Sequence, residues 1–122
     1  MNDDFEIIMY RKADGTSPVD EFIDSLEEKM QAKIVRSIGL LKKNGYELRE
    51  PHSKPLNDGI FELRTIQGAM ITRVLYFFIV DRKIILTNGF IKKTEKTPKQ
   101  AIELAKKYRQ DYLERQGGTN HA

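Results

Sequence analysis

Arg64, Arg73, Lys92 and Lys93 stand close together in one stretch of the chain, residues 59–93, GIFELRTIQGAMITRVLYFFIVDRKIILTNGFIKK. A guanidinium is planar, always protonated and able to hold a phosphate through two parallel hydrogen bonds, and an ammonium adds a point charge. An aromatic ring such as Phe90 can stack on a base. This equipment could grip a phosphodiester and stabilise negative charge developing on it. The same residues also have an ordinary reading as strand charges paired across a sheet. Glu62 opposite Arg73, for example, would contribute roughly 0.2–1 kcal/mol as a cross-strand ion pair. Several like charges on one sheet face repel each other unless an anion joins them, which favours the phosphate account for the cluster as a whole.

Strand register decides which of these side chains can act together, because successive residues point to opposite faces. The stretch reads as three strands. With Gln67-Gly68 as the loop of the first hairpin, Arg64 lies opposite Ile71 and Glu62 opposite Arg73. With Asp81-Arg82 as the loop of the second, Arg73 lies opposite Phe90. Arg64, Arg73 and Phe90 then share a face, and Lys92 joins them by parity. His52 and Lys54 precede the first of these strands in a loop, where functional residues often sit. A lone loop histidine is also a common surface residue.

The rest of the chain must supply the scaffold. Residues 5–10 (FEIIMY) read as a strand. Ser17 can cap a helix that has Pro18 in its first turn and Asp20 favouring its dipole. Val19, Phe22, Ile23, Leu26 and Met30 recur at helical spacing, followed by Ile34, Ile38 and Leu41 on a second helix that Gly45 terminates. Residues 47–59 (ELREPHSKPLNDG) carry two prolines and an Asn-Asp-Gly turn signal and read as loop. Thr97-Pro98, with Gln100 as a capping-box partner, opens a last helix that buries Ile102, Ala105, Tyr108 and Tyr112. The predicted order is β-α-α-β-β-β-α, an α+β domain with a small, mostly antiparallel sheet packed against helices. It occupies residues 1–115, and 116–122 form a polar, disordered tail.

Composition narrows the chemistry. The 122 residues suit one domain and include no cysteine, so disulfides and thiolate catalysis are excluded. Only His52 and His121 could offer imidazole to a metal, and the expected chemistry calls for neither metal nor cofactor. The acidic start MNDDFEIIMY does not read as a signal peptide, and the apolar run 74–80 is too short to span a bilayer, so a cytoplasmic protein without membrane contact is expected. Residues 1–81 hold 11 bases and 14 acids, whereas residues 82–122 hold 10 bases and 4 acids. That asymmetry suits a polyanion partner, or equally a solvated basic helix.

Together the pieces resemble a known family. The run from Pro51 through His52, Ser53, Lys54 and Pro55 to Leu56, then the segments from Gly59 to Arg64, Arg73 to Tyr76, Phe90 to Lys93, and Lys96-Thr97-Pro98 are similar to the HigB branch of the RelE-type toxins of bacterial toxin–antitoxin systems. The early Pro18-Val19-x-x-Phe22 helix fits as well. The resemblance spans roughly residues 5–112 and implies a RelE-like fold. It further implies a metal-independent, ribosome-dependent endoribonuclease that cuts mRNA and inhibits translation. Its partner would be a HigA-like helix-turn-helix antitoxin that forms a hetero-oligomer with it, neutralises it and carries it to operator DNA. By the same resemblance Lys54, Arg64, Arg73, Lys92 and Lys93 are the cationic catalytic residues, with Phe90, His52 and Lys96 as RNA contacts. Gln100 and Ala101 stand at the start of the last helix, where a tyrosine base would be looked for, which leaves Lys54 or His52 as the best available base. The same scaffold resembles ParE-type toxins, which bind DNA gyrase and cut no RNA, and a non-catalytic RNA-binding module is a third reading.

Overall fold

A computed structural model describes residues 3–92 and 96–120, with side chains described through residue 116. It contains β1 (Glu6–Met9), α1 (Pro18–Asp24), α2 (Glu28–Asn44), a 3-10 turn (Gly45–Glu47), β2 (Ser53–Pro55), β3 (Phe61–Gln67), β4 (Met70–Ile79), β5 (Lys83–Ile91) and α3 (Lys99–Asn120). The five strands form one sheet in the order β1-β5-β4-β3-β2, with β1 parallel to β5 and every other pair antiparallel. The α+β, mostly antiparallel architecture is the expected one, with one strand more than the predicted order.

That extra strand is β2, inside the segment read as loop. Asn57-Asp58-Gly59 makes a tight turn: Asp58 and Gly59 have φ of 53° and 79°, and the Ile60 amide donates to the Asn57 carbonyl at 3.0 Å. The turn folds Ser53–Pro55 back onto β3 as a hairpin. Pro55 is tolerated because β2 is an edge strand.

Helices cover both faces of the sheet. Val19 of α1 and Leu41 of α2 pack with Phe5, Leu63, Val74, Tyr76, Ile84 and Leu86 on one side. On the other, Ala105 of α3 packs with Tyr10, Ile60, Leu75, Phe77 and Ile85, joined by the partly buried Tyr108 and Tyr112. The start of α1 forms as its sequence predicts, with Ser17 Oγ accepting from the Asp20 amide at 3.2 Å. At Gly45 a Cβ would lie 2.0 Å from the Phe5 ring, and at Gly89 one would lie 2.4 Å from the Phe22 ring. The two glycines therefore let the ends of α2 and α1 close onto the sheet.

Both hairpins differ from the expected loops. The first turns on Gly68 and Ala69, so Arg64 faces Arg73, not Ile71, and Glu62 faces Leu75, not Arg73. Gly68 adopts φ of 61°, which a glycine accommodates without strain and which draws the turn one residue further along. The second turns on Val80, Asp81 and Arg82, one residue longer than expected. A bulge between Leu75 and Tyr76 then shifts the ladder back, so that Arg73 faces Phe90 as predicted. At the start of α3, Thr97 does not act as the expected cap. The helix begins at Lys99, and the Thr97 hydroxyl turns into the sheet. The helical backbone runs on to Asn120, into the stretch read as a tail. Among the described residues no helix is long and apolar enough to cross a membrane.

Two buried phenols make this fold sensitive to alkali. Burial pushes the Tyr76 hydroxyl, which is hydrogen-bonded to Ser53, up to about 12. Burial, reinforced by Asp111, does the same to Tyr10, also to about 12. Unfolded tyrosine titrates near about 10, so the folded protein keeps protons that the unfolded chain gives up. The resulting stabilisation is complete below about pH 10 and lost as pH rises through the folded values. Urea midpoints should fall across that window. Tyr76→Phe should make the fall shallower, and should cost about 1 kcal/mol at neutral pH by stranding the Ser53 hydroxyl. A variant whose midpoint fell as steeply as the wild type's would refute the assignment.

Candidate functional site

The sheet face that carries α3 has two halves. Leu75, Phe77 and Ile85 lie under the helix. The other half holds Glu62, Arg64, Arg73 and Phe90, placed on one face by the pairs Arg64 with Arg73 and Arg73 with Phe90 and by the alternation of β3. Lys54 is registered against Glu62 and so joins the same face from β2. The Lys92 amide donates to the Ile71 carbonyl at 2.7 Å, which extends the ladder past β5 and brings Lys92 to the edge of this face.

Glu62 organises the group. Its side chain is fully buried, and it receives Arg64 Nε at 2.8 Å on Oε2 and Arg73 Nη1 at 3.1 Å on Oε1. Thr97 completes the cluster, accepting from Arg73 Nη1 at 2.8 Å and donating to Glu62 Oε1. A buried carboxylate is tolerable only when charge and hydrogen bonds compensate it, and two guanidiniums and a hydroxyl do so. The three charges sum to +1. Arg73, 1% exposed, lies within the protein, whereas the Arg64 side chain is 22% exposed. Glu62 holds Arg64 by Nε, leaving its Nη groups directed outward, where Glu50 approaches to only 3.9 Å.

The expected site residues thus separate by exposure. Lys54, Arg64 and Lys92 share one face, the first exposed and the other two partly so, and Lys96 is exposed in the segment before α3. Arg73, expected as a second exposed guanidinium, is buried because it neutralises Glu62 from inside the sheet. Phe90 is partly buried and packs on the α3-side core. His52 is exposed, its carbonyl accepting from the Arg64 amide at 2.8 Å, and it lines a cleft of about 230 Å³ between α2 and the β3 edge with Lys33, Arg36 and Arg64. Lys93 lies outside the described residues. On α3, Lys106 pairs with Asp58 at 2.5 Å and Arg109 bonds the Asp58 carbonyl, so both secure the β2–β3 turn, while Lys107 remains exposed.

Four contributing residues went unread in the sequence. Glu62 was weighed only as a partner for Arg73, although Glu62-Leu63-Arg64 is an i, i+2 pair that any strand puts on one face. Thr97 looked like a helix cap, and nothing in its local pattern indicates a hydroxyl aimed at a buried carboxylate. Lys33 and Arg36 were hidden by counting charge along the chain, which masks the five bases and one acid of α2.

A family model described as the phage-derived protein Gp49-like (DUF891) matches residues 21–110, from within α1 through the site to α3. No curated protein matches the chain.

Removing one member of the buried cluster should be costly. Glu62→Ala would leave Arg73 buried without its counter-charge, and Arg73→Ala would leave Glu62 short of its innermost partner; either should lower the unfolding free energy by about 3–5 kcal/mol in urea titrations. The double variant should lose less than the sum of the two. Strict additivity would mean that the two groups do not interact.

Proposed function

The chain belongs to the phage-derived Gp49-like family, a RelE/toxin-like family associated with the toxins of toxin–antitoxin systems, and from that membership and the exposed cations we propose that it is a HigB-type toxin that cleaves mRNA on the ribosome. The observation that carries the reading is Arg64, a strand guanidinium gripped at Nε by a buried carboxylate with its other donors outward. An arginine held in this way loses little freedom on meeting a phosphate, so its charge stabilises the transition state without reorganisation.

In the proposed reaction the 2′-oxygen of a ribose attacks the adjacent phosphorus. The bond from phosphorus to the 5′-oxygen breaks, leaving a 2′,3′-cyclic phosphate and a 5′-hydroxyl. Arg64 and Lys92 stabilise the phosphorane. Lys54, in its uncharged form, or His52 takes the 2′-hydroxyl proton, and a lysine ammonium, that of Lys92 or Lys93, returns one to the leaving oxygen. Arg73 acts as a positioning residue through Glu62, and Phe90 and Lys96 border the bound strand. The ribosome supplies the orientation of the message, and a HigA-like helix-turn-helix antitoxin covers the toxin and carries it to operator DNA. The protein acts in the cytoplasm.

Arg64→Ala leaves the Glu62–Arg73 pair in place and should abolish growth arrest while the purified variant stays folded. Primer extension on translated mRNA should show cuts with wild type and none with the variant, an effect of about 100-fold or more if one charge-stabilising donor is lost. A folded Arg64→Ala protein of undiminished toxicity would sink the mechanism. Broken DNA with intact messages would point to gyrase in place of RNA.

A further inference from the structure

The cleft between α2 and the β3 edge shares Arg64 with the cationic sheet face. Its α2 wall carries Lys33 and Arg36, both exposed and in none of the ion pairs found among the described residues. Helical spacing puts Lys29 and Lys43, also exposed, along the same stripe of α2. None of the described residues that line the cleft is acidic, and the carboxylate nearest its shared arginine is Glu50, 3.9 Å from Arg64 Nη1. Its floor is closed, since Thr65 Oγ1 donates to Ser37 Oγ at 2.8 Å and both side chains are buried. Ile66, 55% exposed, stands at the rim and offers an apolar surface to a base or ribose.

Resting on the reading of the sheet face as an RNA site, we propose that this cleft is a second phosphodiester subsite, which holds the same message strand as it passes from Arg64 around the edge of β3 onto α2. Charge complementarity favours this occupant. Two unpaired cations beside a third that already faces the scissile region repel one another until phosphates intervene, and consecutive phosphates along a single strand supply them. The predominance of cations along the cleft and the apolar rim suit an RNA backbone with an unstacked base. Lys33 and Arg36 take no part in the chemical step; they add length to the bound strand.

The test compares wild type with K33Q/R36Q, whose substitutions are on an exposed helix face and whose fold is verified by circular dichroism. Fluorescein-labelled single-stranded RNAs of three and twelve nucleotides are titrated at several salt concentrations. Each phosphate contact adds roughly 0.7 to the slope of log affinity against log salt for a single strand, so the variant should lose about 1.4 from its slope on the twelve-mer. Both proteins should bind the three-mer alike. Equal slopes on the twelve-mer overturn the cleft and leave the sheet-face reading standing. Equal slopes together with lost antitoxin binding would make the cleft a protein contact. A variant weakened equally on both lengths overturns it too, since the effect would then be at the cleavage site. Wild-type protein that binds neither RNA also overturns the cleft, and the sheet-face reading is then decided separately by primer extension on ribosomes.

Discussion

One buried carboxylate governs the cationic face. Glu62 is inaccessible to water and meets two guanidiniums, so charge balance inside the sheet is exceeded by one unit. That unit cannot remain in the interior at tolerable cost, and the geometry places it on Arg64, the only one of the two that reaches solvent. The exposed cation is thus a consequence of how the core is neutralised. Arg73 would be prohibitive in the sheet without Glu62, and Glu62 would be equally so without Arg73. The same cluster fixes the approach to α3, because Thr97 bonds both partners two residues before the helix begins.

The sheet converts that cluster into a surface. α3 packs on the Leu75, Phe77 and Ile85 half of its face, Thr97 closes over Glu62 and Arg73, and Arg64 remains partly exposed beside them. Charged side chains from β2, β3 and the end of β5 are brought there by backbone ladders, which are stiffer supports than loops. The bulge at Leu75 contributes directly. It resets β5 by one residue, aligns Phe90 with Arg73, and leaves Asn88 to bond the Ala101 carbonyl at 3.3 Å, tying the sheet to the first turn of α3. Gly89 on the opposite face lets Phe22 of α1 press against the same segment of β5.

Much of this was legible in the sequence because it rests on parity and on turn chemistry. Arg64, Arg73 and Phe90 share a face in either hairpin register, since the expected and observed pairings of β3 with β4 differ by two residues and parity survives such a shift. Arg73 opposite Phe90 came out right for a different reason: a loop one residue too short was compensated by a bulge that no pattern announces. Burial was not legible. Nothing in Glu62-Leu63-Arg64 or in Arg73 distinguishes a solvated pair from a desolvated one, because the difference is made by Thr97 and the start of α3, some 35 residues away along the chain from Glu62. The basic side of α2 was obscured for a similar reason, as acids elsewhere in the first 81 residues cancel its bases in any count by segment.

A site built in this way favours charge over proton transfer. Its best-ordered group is a guanidinium, which cannot exchange its proton, while the groups that can, Lys54 and His52, are exposed and on the edge strand or in the loop before it. Electrostatic stabilisation can lower the barrier to phosphodiester cleavage considerably, but in-line attack also needs the 2′-oxygen, phosphorus and leaving oxygen held in line. Among the described residues, the cations that would meet the strand stand at partly or fully exposed positions of the strands and of the loop before them. On the proposed reading, the missing alignment comes from outside the protein, and a message already held by a ribosome meets that need. A protein of this size can then act as an RNA-cleaving toxin with little more than one well-held arginine, a few lysines and a rigid sheet to carry them.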